Sequence, residues 1–132
     1  MTKTIKLPKK VNIPFLLELF GKEPHFFFLD SAKPGTLQNS HSYLGFNPID
    51  KLTIEIGEEV GAIQRLNDFY HQYAERNNLG IESSKKEISG FRTGFLTFMT
   101  YTLGLSFLGL ESRFQEKSKL PLAYIGYYPI VI

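Results

Sequence analysis

The stretch FFFLDSAKPGTLQNSHSYLGFNP, residues 26–48, decides how the first third of the chain folds. It begins with an aromatic and apolar run, residues 26–29, which is typical of a strand buried on both faces. Residues 33–40 contain Pro, Gly, Gln, Asn and Ser and therefore indicate a loop. A second apolar segment, residues 42–46, predicts a returning strand. The stretch thus has the pattern of strand, loop and strand.

Polar side chains stand at the ends of these two predicted strands. Asp30 and Ser31 follow the first strand directly, Ser40 ends the predicted loop, and Ser42 begins the second strand. One interpretation is that Asp30 and Ser31 cap the loop backbone, as Asx and Ser turns commonly do. The other is that Ser31, with residues 40–44, lines a small pocket, where hydroxyls and backbone groups bind the polar groups of a ligand and apolar walls hold its side chain. Local chemistry alone favours capping.

Composition limits the class of protein. The chain has 132 residues, of which 42% are hydrophobic and 21% are charged, and these values predict one globular domain. The net charge of +2 is too small to indicate a nucleic acid or an anionic membrane as partner. Cysteine is absent, which excludes disulfides and thiolate metal sites and suits a reducing compartment. Without a long apolar run or a signal-peptide pattern, we expect a cytoplasmic protein with no membrane partner.

Helices and further strands follow from periodicity. Residues 14–20 predict a short helix that begins near Pro14 and ends before Gly21. Residues 52–56 alternate between apolar and polar, which predicts a strand. The turn sequence Asn47-Pro48-Ile49-Asp50 lies between this strand and the preceding one, so we expect the two strands to form an antiparallel hairpin.

A longer helix is predicted over residues 58–77. Glu58 and Glu59 suit the positive end of the helix dipole, and Gly80 follows as a stop. Apolar residues recur at steps of three and four and form one stripe. The stripe consists of Val60, Ile63, Leu66, Phe69, Tyr70 and Tyr73.

The last third of the chain is apolar. Residues 91–110 are compatible with either strand or helix, and their glycines indicate close backbone packing. Residues 124–132 predict a final strand. The terminal run, residues 127–132, suggests either that a longer polypeptide continues beyond it or that the strand needs a partner. Together these elements predict an α+β fold with a mainly antiparallel sheet and packed helices.

The chain carries no constellation that indicates catalysis. His25, His41 and His71 show no ligand spacing, so we expect no metal site. No glycine-rich phosphate loop occurs, and Ser106 lies in no nucleophile elbow. The aromatic residues lie in apolar runs without interleaved Arg or Lys, which favours core packing over base stacking. We therefore predict a non-catalytic domain without catalytic residues or a cofactor of its own.

Four segments, in order along the chain, carry a resemblance to a known family. Leu29-Asp30-Ser31-Ala32 matches a Leu-acid-Ser motif, and residues 39–45 with Pro48 match a Gly-Arg-Tyr-Ser-Phe-Leu-Gly segment. Residues 91–101 resemble Phe-x-Gly-Gly-x-x-Gly-Tyr-x-Ser-Tyr, and residues 120–128 resemble Leu-Pro-x-Ala-x-Phe-Gly-x-Tyr. In this order the segments resemble the N-terminal region of component I of the anthranilate and para-aminobenzoate (aminodeoxychorismate) synthases. The Asp form of the first motif is similar to the para-aminobenzoate branch.

The chain departs from the family at several positions. Ser40 stands where the family usually has Arg, and Thr93 and Thr97 replace glycines. Thr102 and Pro129 each replace an acidic residue.

The resemblance implies a role within a larger enzyme. Residues 1–132 would form a single N-terminal domain, part of an α/β/β/α orthogonal sandwich that a C-terminal domain completes. In the family that second domain binds chorismate and magnesium, and a glutamine amidotransferase subunit supplies the ammonia that is added to chorismate. The hypothesis is therefore the N-terminal domain of an aminodeoxychorismate synthase component I, in folate biosynthesis. The alternatives are the anthranilate synthase counterpart with tryptophan feedback, and a stand-alone binding or interaction protein.

The resemblance also implies a pocket for a tryptophan-like ligand. Ser31, beside Asp30, would contact the polar end of that ligand. The neighbouring wall would consist of Ser40, His41, Ser42, Tyr43 and Leu44.

Overall fold

A computed structural model describes Pro8 and residues 11–30, 42–76, 94–110 and 119–132. The helices and strands of these residues follow one another in the order α1 (Ile13–Phe20), β1 (Phe27–Leu29), β2 (Tyr43–Gly45), β3 (Asp50–Ile54), α2 (Ala62–Arg76), β4 (Gly94–Met99), α3 (Tyr101–Phe107) and β5 (Ala123–Tyr128). Strands β1 and β2 form an antiparallel pair. The other sheet has the order β3-β5-β4, with β3 antiparallel to β5. The predicted α+β class is confirmed. The predicted loop at 33–40 and the stop at Gly80 lie outside the described residues.

The described residues fall into two compact units. The first contains Pro8, residues 11–30 and 42–49, Gly94 and Tyr128–Ile132. The second contains residues 50–76, 95–110 and 119–127. Within the described part of the chain, no helix has the length and apolar character needed to cross a membrane.

In the first unit, α1 begins and ends close to its predicted positions. The side chain of Asn12 caps its first turn, since Asn12 Oδ1 accepts a hydrogen bond of 3.0 Å from the backbone of Phe15. Pro14 lies in that first turn, where the missing N–H costs nothing. Gly21 follows the helix and donates its N–H to Leu17 at 2.9 Å.

Strand β1 is less buried than predicted. Phe27 is 8% exposed, because its ring packs edge-on against Tyr128, with the centroids 4.8 Å apart. Leu29, at the other end of the strand, is 49% exposed. The prediction of a strand buried on both faces is therefore wrong. An apolar run indicates the strand, but the contacts with distant residues decide where its burial ends.

The predicted hairpin of the second and third strands is also wrong. Strand β2 pairs with β1, and β3 pairs with β5. Asn47 adopts a left-handed conformation, with φ 48, and donates its backbone N–H to Pro24 at 3.0 Å. Its side-chain Nδ2 donates to Glu23 Oε2 at 2.9 Å. These two bonds attach the turn to the segment after α1. The turn therefore separates β2 from β3 and does not join them in a hairpin.

The terminal run of the chain pairs with β2. The N–H of Ile132 donates to the carbonyl of Leu44, and the N–H of Leu44 donates to the carbonyl of Ile132, both at 2.9 Å. Val131 bridges antiparallel to Gly45. Strand β5 itself ends at Tyr128 and is shorter than the predicted strand. The next residue is Pro129, which lacks the N–H that a ladder needs.

In the second unit, α2 begins at Ala62, later than predicted. Gly61 has φ 75, a conformation that favours glycine and separates the preceding turn from the helix. Glu58 and Glu59 lie in that turn, where their carboxylates accept the backbone N–H groups of Glu55 and Gly57. Their predicted place in the first turn of the helix is therefore wrong.

The buried stripe of α2 differs from the predicted one. Ala62 is fully buried, Phe69 is 8% exposed, and Leu66 packs against the core. Val60 and Ile63 are 96% and 56% exposed, so their predicted inward position is wrong. The core of this unit joins both of its helices to β3 and the start of β5. Its fully or almost fully buried members are Ile54, Ala62, Leu103, Leu122 and Ala123.

The ambiguous apolar segment contains both a strand and a helix. Strand β4 ends at Met99, and Thr100 caps α3 by accepting the N–H of Leu103 at 3.3 Å. An added methyl group at Gly104 meets no atom within 4 Å, so close packing does not explain that glycine. Gly109 follows α3 with φ 67, which is a helix-ending conformation that glycine favours.

Gly45→Ala tests the packing of the first unit. A methyl group at this position would lie 2.4 Å from Cε1 and 2.8 Å from Cζ of Phe27, whose ring is fixed against Tyr128. Displacing a packed ring typically costs about 1–3 kcal/mol. We expect a loss of that size in the free energy of unfolding, measured by urea denaturation.

Gly104→Ala is the matched control. Its methyl group enters open space inside α3, and alanine favours the helix over glycine by about 1 kcal/mol. This variant is expected to be as stable as the wild-type protein or more stable. A Gly45→Ala protein with wild-type stability would contradict the described contact between Gly45 and Phe27.

Glu58 gives the second unit a dependence on pH. The backbone N–H of Glu55, at 2.8 Å, is the main cause that holds the pKa of the Glu58 carboxyl below its ordinary value of 4.5. Desolvation opposes this, and the guanidinium of Arg65, at 3.5 Å, lowers the pKa further. Because the folded pKa is the lower one, Glu58 stabilises the protein above pH 4.5, and this contribution is lost as the pH falls through the lowered pKa.

Glu58→Gln should therefore lower the free energy of unfolding at about pH 7. Below about pH 4.5, the free energy of unfolding of this variant should fall less steeply than that of the wild type. The measurement is urea denaturation of both proteins across that pH range. Val60→Ala, an exposed change near Glu58 that involves no titratable group, is the control and should leave the shape of the pH profile unchanged. Parallel profiles for the wild-type and Glu58→Gln proteins would contradict the assigned role of Glu58.

Candidate functional site

The candidate site is a cavity of about 170 Å³ in the first unit, partly open to solvent. Helix α1, strands β1 and β2 and the end of the chain supply its walls. The lining residues are Ile13, Leu16, Phe28, Ser42, Tyr43, Leu44 and Ile132.

The strand ladder fixes two of these walls. Phe28 and Leu44 lie directly opposite each other in the β1–β2 pair, and directly opposed side chains stand on the same face. Leu44 is only 3% exposed. The reciprocal backbone hydrogen bonds of Leu44 bring Ile132 to the same place. The apolar floor of the cavity therefore depends on contacts between three separate segments.

Helix α1 supplies another wall through Ile13 and Leu16. These residues are three apart and so lie on one side of the helix. The ring of Phe20 stacks on Phe46, with the centroids 4.5 Å apart, and this contact fixes the far end of the helix. No residue of α1 is fully buried, so this wall rests on partial contacts.

A charged hydrogen bond lies beside the cavity. Ser42, a lining residue, donates its hydroxyl to Asp30 Oδ1 at 2.7 Å. The bond joins the residue after β1 to the residue before β2, one position beyond the paired residues Leu29 and Tyr43. The predicted capping of the loop backbone involves residues outside the described part of the chain. The described contact of Asp30 connects it to a wall of the cavity.

The structure brings together part of the predicted site. Ser42, Tyr43 and Leu44 line the cavity, and Asp30 reaches it through Ser42 without lining it. The remaining predicted residues, Ser31, Ser40 and His41, lie outside the described residues.

Four lining residues were missed by sequence reasoning. The spacing of Ile13 and Leu16 on a predicted helix could have indicated them, since the two share a face. Phe28 belongs to the predicted strand. Because Phe27 and Phe28 are both apolar but face opposite sides of the strand, the sequence does not show which of them faces the cavity. Ile132 has no local signal, because only a distant strand pairing brings it to the cavity.

The arrangement is suited to holding an apolar group. Its walls are mainly hydrophobic, and its volume is smaller than the roughly 300–1,000 Å³ of pockets for drug-sized ligands. Among the residues that the structure describes, no group of three or more His, Cys, Asp or Glu side chains could hold a metal ion.

Comparison with known proteins finds no matching family model, no matching curated protein and no matching solved structure. The functional interpretation of the cavity therefore depends on its residues and geometry.

The pair of Asp30 and Ser42 can be tested by a double-mutant cycle. Ser42→Ala and Asp30→Ala each remove one partner of the 2.7 Å bond. Because the bond is charged but exposed, we expect a coupling free energy of about 0.5–1 kcal/mol. The measurement is urea denaturation of the wild type, both single variants and the double variant.

The cycle isolates the pair from the other contacts of each side chain. The coupling should also shrink at high salt, because salt screens exposed charges. Strictly additive effects of the two substitutions at low salt would show that the bond contributes nothing to the fold.

Proposed function

We propose that this chain is the non-catalytic N-terminal domain of an aminodeoxychorismate synthase component I, and that its cavity binds an amino-acid-like aromatic ligand. In this proposal a C-terminal domain binds chorismate and magnesium and carries out the amination in the cytoplasm. A glutamine amidotransferase subunit supplies the ammonia.

The main support for the proposal is that the family resemblance and the cavity geometry independently assign the same residues to a pocket. The family resemblance assigns Ser42, Tyr43 and Leu44 to the wall of a ligand pocket. The same three residues line the cavity of the first unit. Asp30, in the motif that resembles the para-aminobenzoate branch, is hydrogen-bonded to Ser42.

The chemistry of the walls also supports a binding role. Apolar side chains from α1, β1 and β2 can enclose a hydrophobic group, and burial of apolar area is the general driving force for such binding. Asp30 and Ser42 offer polar atoms at one side, where the polar end of a ligand can be oriented.

A stand-alone binding protein is the second candidate. One observation favours it: the seven lining residues, including Ile132, all belong to one compact unit. A ligand could therefore bind without a second domain.

Deletion of the gene distinguishes the synthase domain from a stand-alone binding protein. We expect the deletion strain to require para-aminobenzoate for growth and to recover when that compound or the intact gene is supplied. The purified chain, given chorismate, magnesium and ammonia, should form no product, because the proposal assigns the reaction to another domain.

Other outcomes point elsewhere. A requirement for tryptophan would indicate the anthranilate branch, and growth without any supplement would favour the stand-alone protein. Turnover by the purified chain would refute the assignment of catalysis to another domain.

A further inference from the structure

We propose that two copies of this chain associate through an apolar face of α3, with the two helices antiparallel about a twofold axis. The inference goes beyond the proposed function and does not depend on the cavity of the first unit. It rests on the exposure of this face, on its lack of charge and on its area.

The face belongs to the second unit and to a segment without charge. Residues 93–110 contain no charged side chain, although 21% of the chain is charged. Depletion of charge, together with aromatic and Met side chains, is the composition that marks the centre of protein interfaces. Packing in the core is the other explanation for such a segment, and the burial of α3 distinguishes the two.

Helix α3 is buried on one side only. Leu103 is fully buried in the core of the unit. Tyr101, Leu105 and Leu108 follow one another at steps of four and three residues and so share the side opposite Leu103. Tyr101 is 82% exposed, Leu108 is 73% exposed and Leu105 is half-buried. The core of the unit therefore accounts for only part of the apolar character of α3.

Exposed apolar residues next to α3 extend this side of the helix. Met99 precedes the helix and Leu110 follows it. The N–H of Thr100 donates to the carbonyl of Leu122 at 2.8 Å, which brings the segment that contains Leu120 beside the start of α3. The α3 face consists of Met99, Tyr101, Leu105, Leu108, Leu110 and Leu120. Five of these six residues are more than half exposed.

The hydroxyls beside the α3 face are already hydrogen-bonded. Thr100 Oγ1 accepts the N–H of Leu103 at 3.3 Å, and Ser106 donates its hydroxyl to the carbonyl of Leu103 at 2.7 Å. Covering the face therefore leaves neither hydroxyl without a partner, and the usual cost of burying such a group does not arise.

The area of the α3 face suits a small dimer interface. A large apolar residue covers roughly 150–250 Å², so five that are more than half exposed present about 600 Å². This value is at the upper limit of about 300–600 Å² for the largest apolar patch on a typical monomer. Two such faces in contact bury about 1,200 Å² in total, which is the lower limit for specific protein–protein interfaces.

The absence of charge favours a second copy as the occupant. An uncharged face can meet its own copy without bringing like charges together, which would otherwise oppose association. A twofold axis across the middle of α3 makes the two helices antiparallel and places each residue of the pair against the other. Tyr101 of one copy then faces Leu108 of the second copy, and the same contact occurs twice.

Two charge variants test this contact without opposing the fold. Tyr101→Glu places an acid in the first turn of α3, and Leu108→Lys places a base at its end, where each charge suits the helix dipole. The native helix has no acid in its first turn and no base in its last turn. Leu19→Lys is the matched control, because Leu19 is an exposed leucine near the end of α1 in the other unit. The far-UV circular dichroism of all three variants should match that of the wild type.

The measurement is sedimentation equilibrium of the full chain from about 1 µM to about 1 mM. The wild type and Leu19→Lys are expected to form dimers with a dissociation constant of about 10–100 µM, since the interface is small. Tyr101→Glu and Leu108→Lys, each alone, should raise this constant at least about tenfold, because the dimer would bury an unpaired charge twice.

Mixing the two variants tests the antiparallel arrangement. An equimolar mixture of Tyr101→Glu and Leu108→Lys should recover a dimer. The acid introduced in one copy then faces the base introduced in the other, while the second contact keeps the native Tyr101 and Leu108.

Three outcomes would overturn the inference: a wild type that stays monomeric up to about 1 mM, a dimer that both charge variants retain, or a mixture that does not associate. Assembly of the wild type beyond a dimer would contradict the closed twofold contact. None of these results alters the growth requirement for para-aminobenzoate that is expected after gene deletion, so this inference and the proposed function fail separately.

Discussion

The reciprocal hydrogen bonds between Leu44 and Ile132 are the constraint on which the first unit depends. They are 2.9 Å each and attach the end of the chain to β2. The same strand extension places Tyr128 against Phe27, and the hydroxyl of Tyr128 donates to the carbonyl of His25 at 2.9 Å. Through these contacts the β1–β2 pair acquires a third neighbour, which an isolated two-stranded ribbon needs for stability. The cavity is a consequence of this pairing, because Ile132 forms one of its walls.

Local patterns in the sequence predicted the elements better than their partners. The cap and proline of α1, the α+β class and most of α2 follow from features within a few residues of each other. The pairing of β3 with β5 does not, because it depends on residues far along the chain. Asn47 illustrates the difference: its turn was recognised, but its bonds to Pro24 and Glu23 decide which strands the turn separates. Gly61 likewise shifts the start of α2, so that Val60 lies outside the helix.

The residues of the candidate site also fall into two groups, those that local sequence indicates and those that only the fold brings together. Ser42, Tyr43 and Leu44 form one continuous segment and could be proposed from the sequence as a unit. Ile132 could not, since no local property of an apolar chain end says which strand it joins. Asp30 is an intermediate case. Its position after a strand indicated a polar role, but only the fold identifies Ser42 as its hydrogen-bond partner.

The partial burial of α1 links ligand binding to the stability of this helix. Six of its eight residues are Ile, Leu or Phe, yet none is fully buried, so much of its apolar surface is in contact with water. A ligand in the cavity would cover Ile13 and Leu16 and remove part of that surface from solvent. Any ligand that binds only the folded state stabilises that state in proportion to the logarithm of its concentration. If the proposed ligand binds, the domain would respond to it without a catalytic group, because occupancy of the cavity would strengthen the attachment of α1 to the β1–β2 pair.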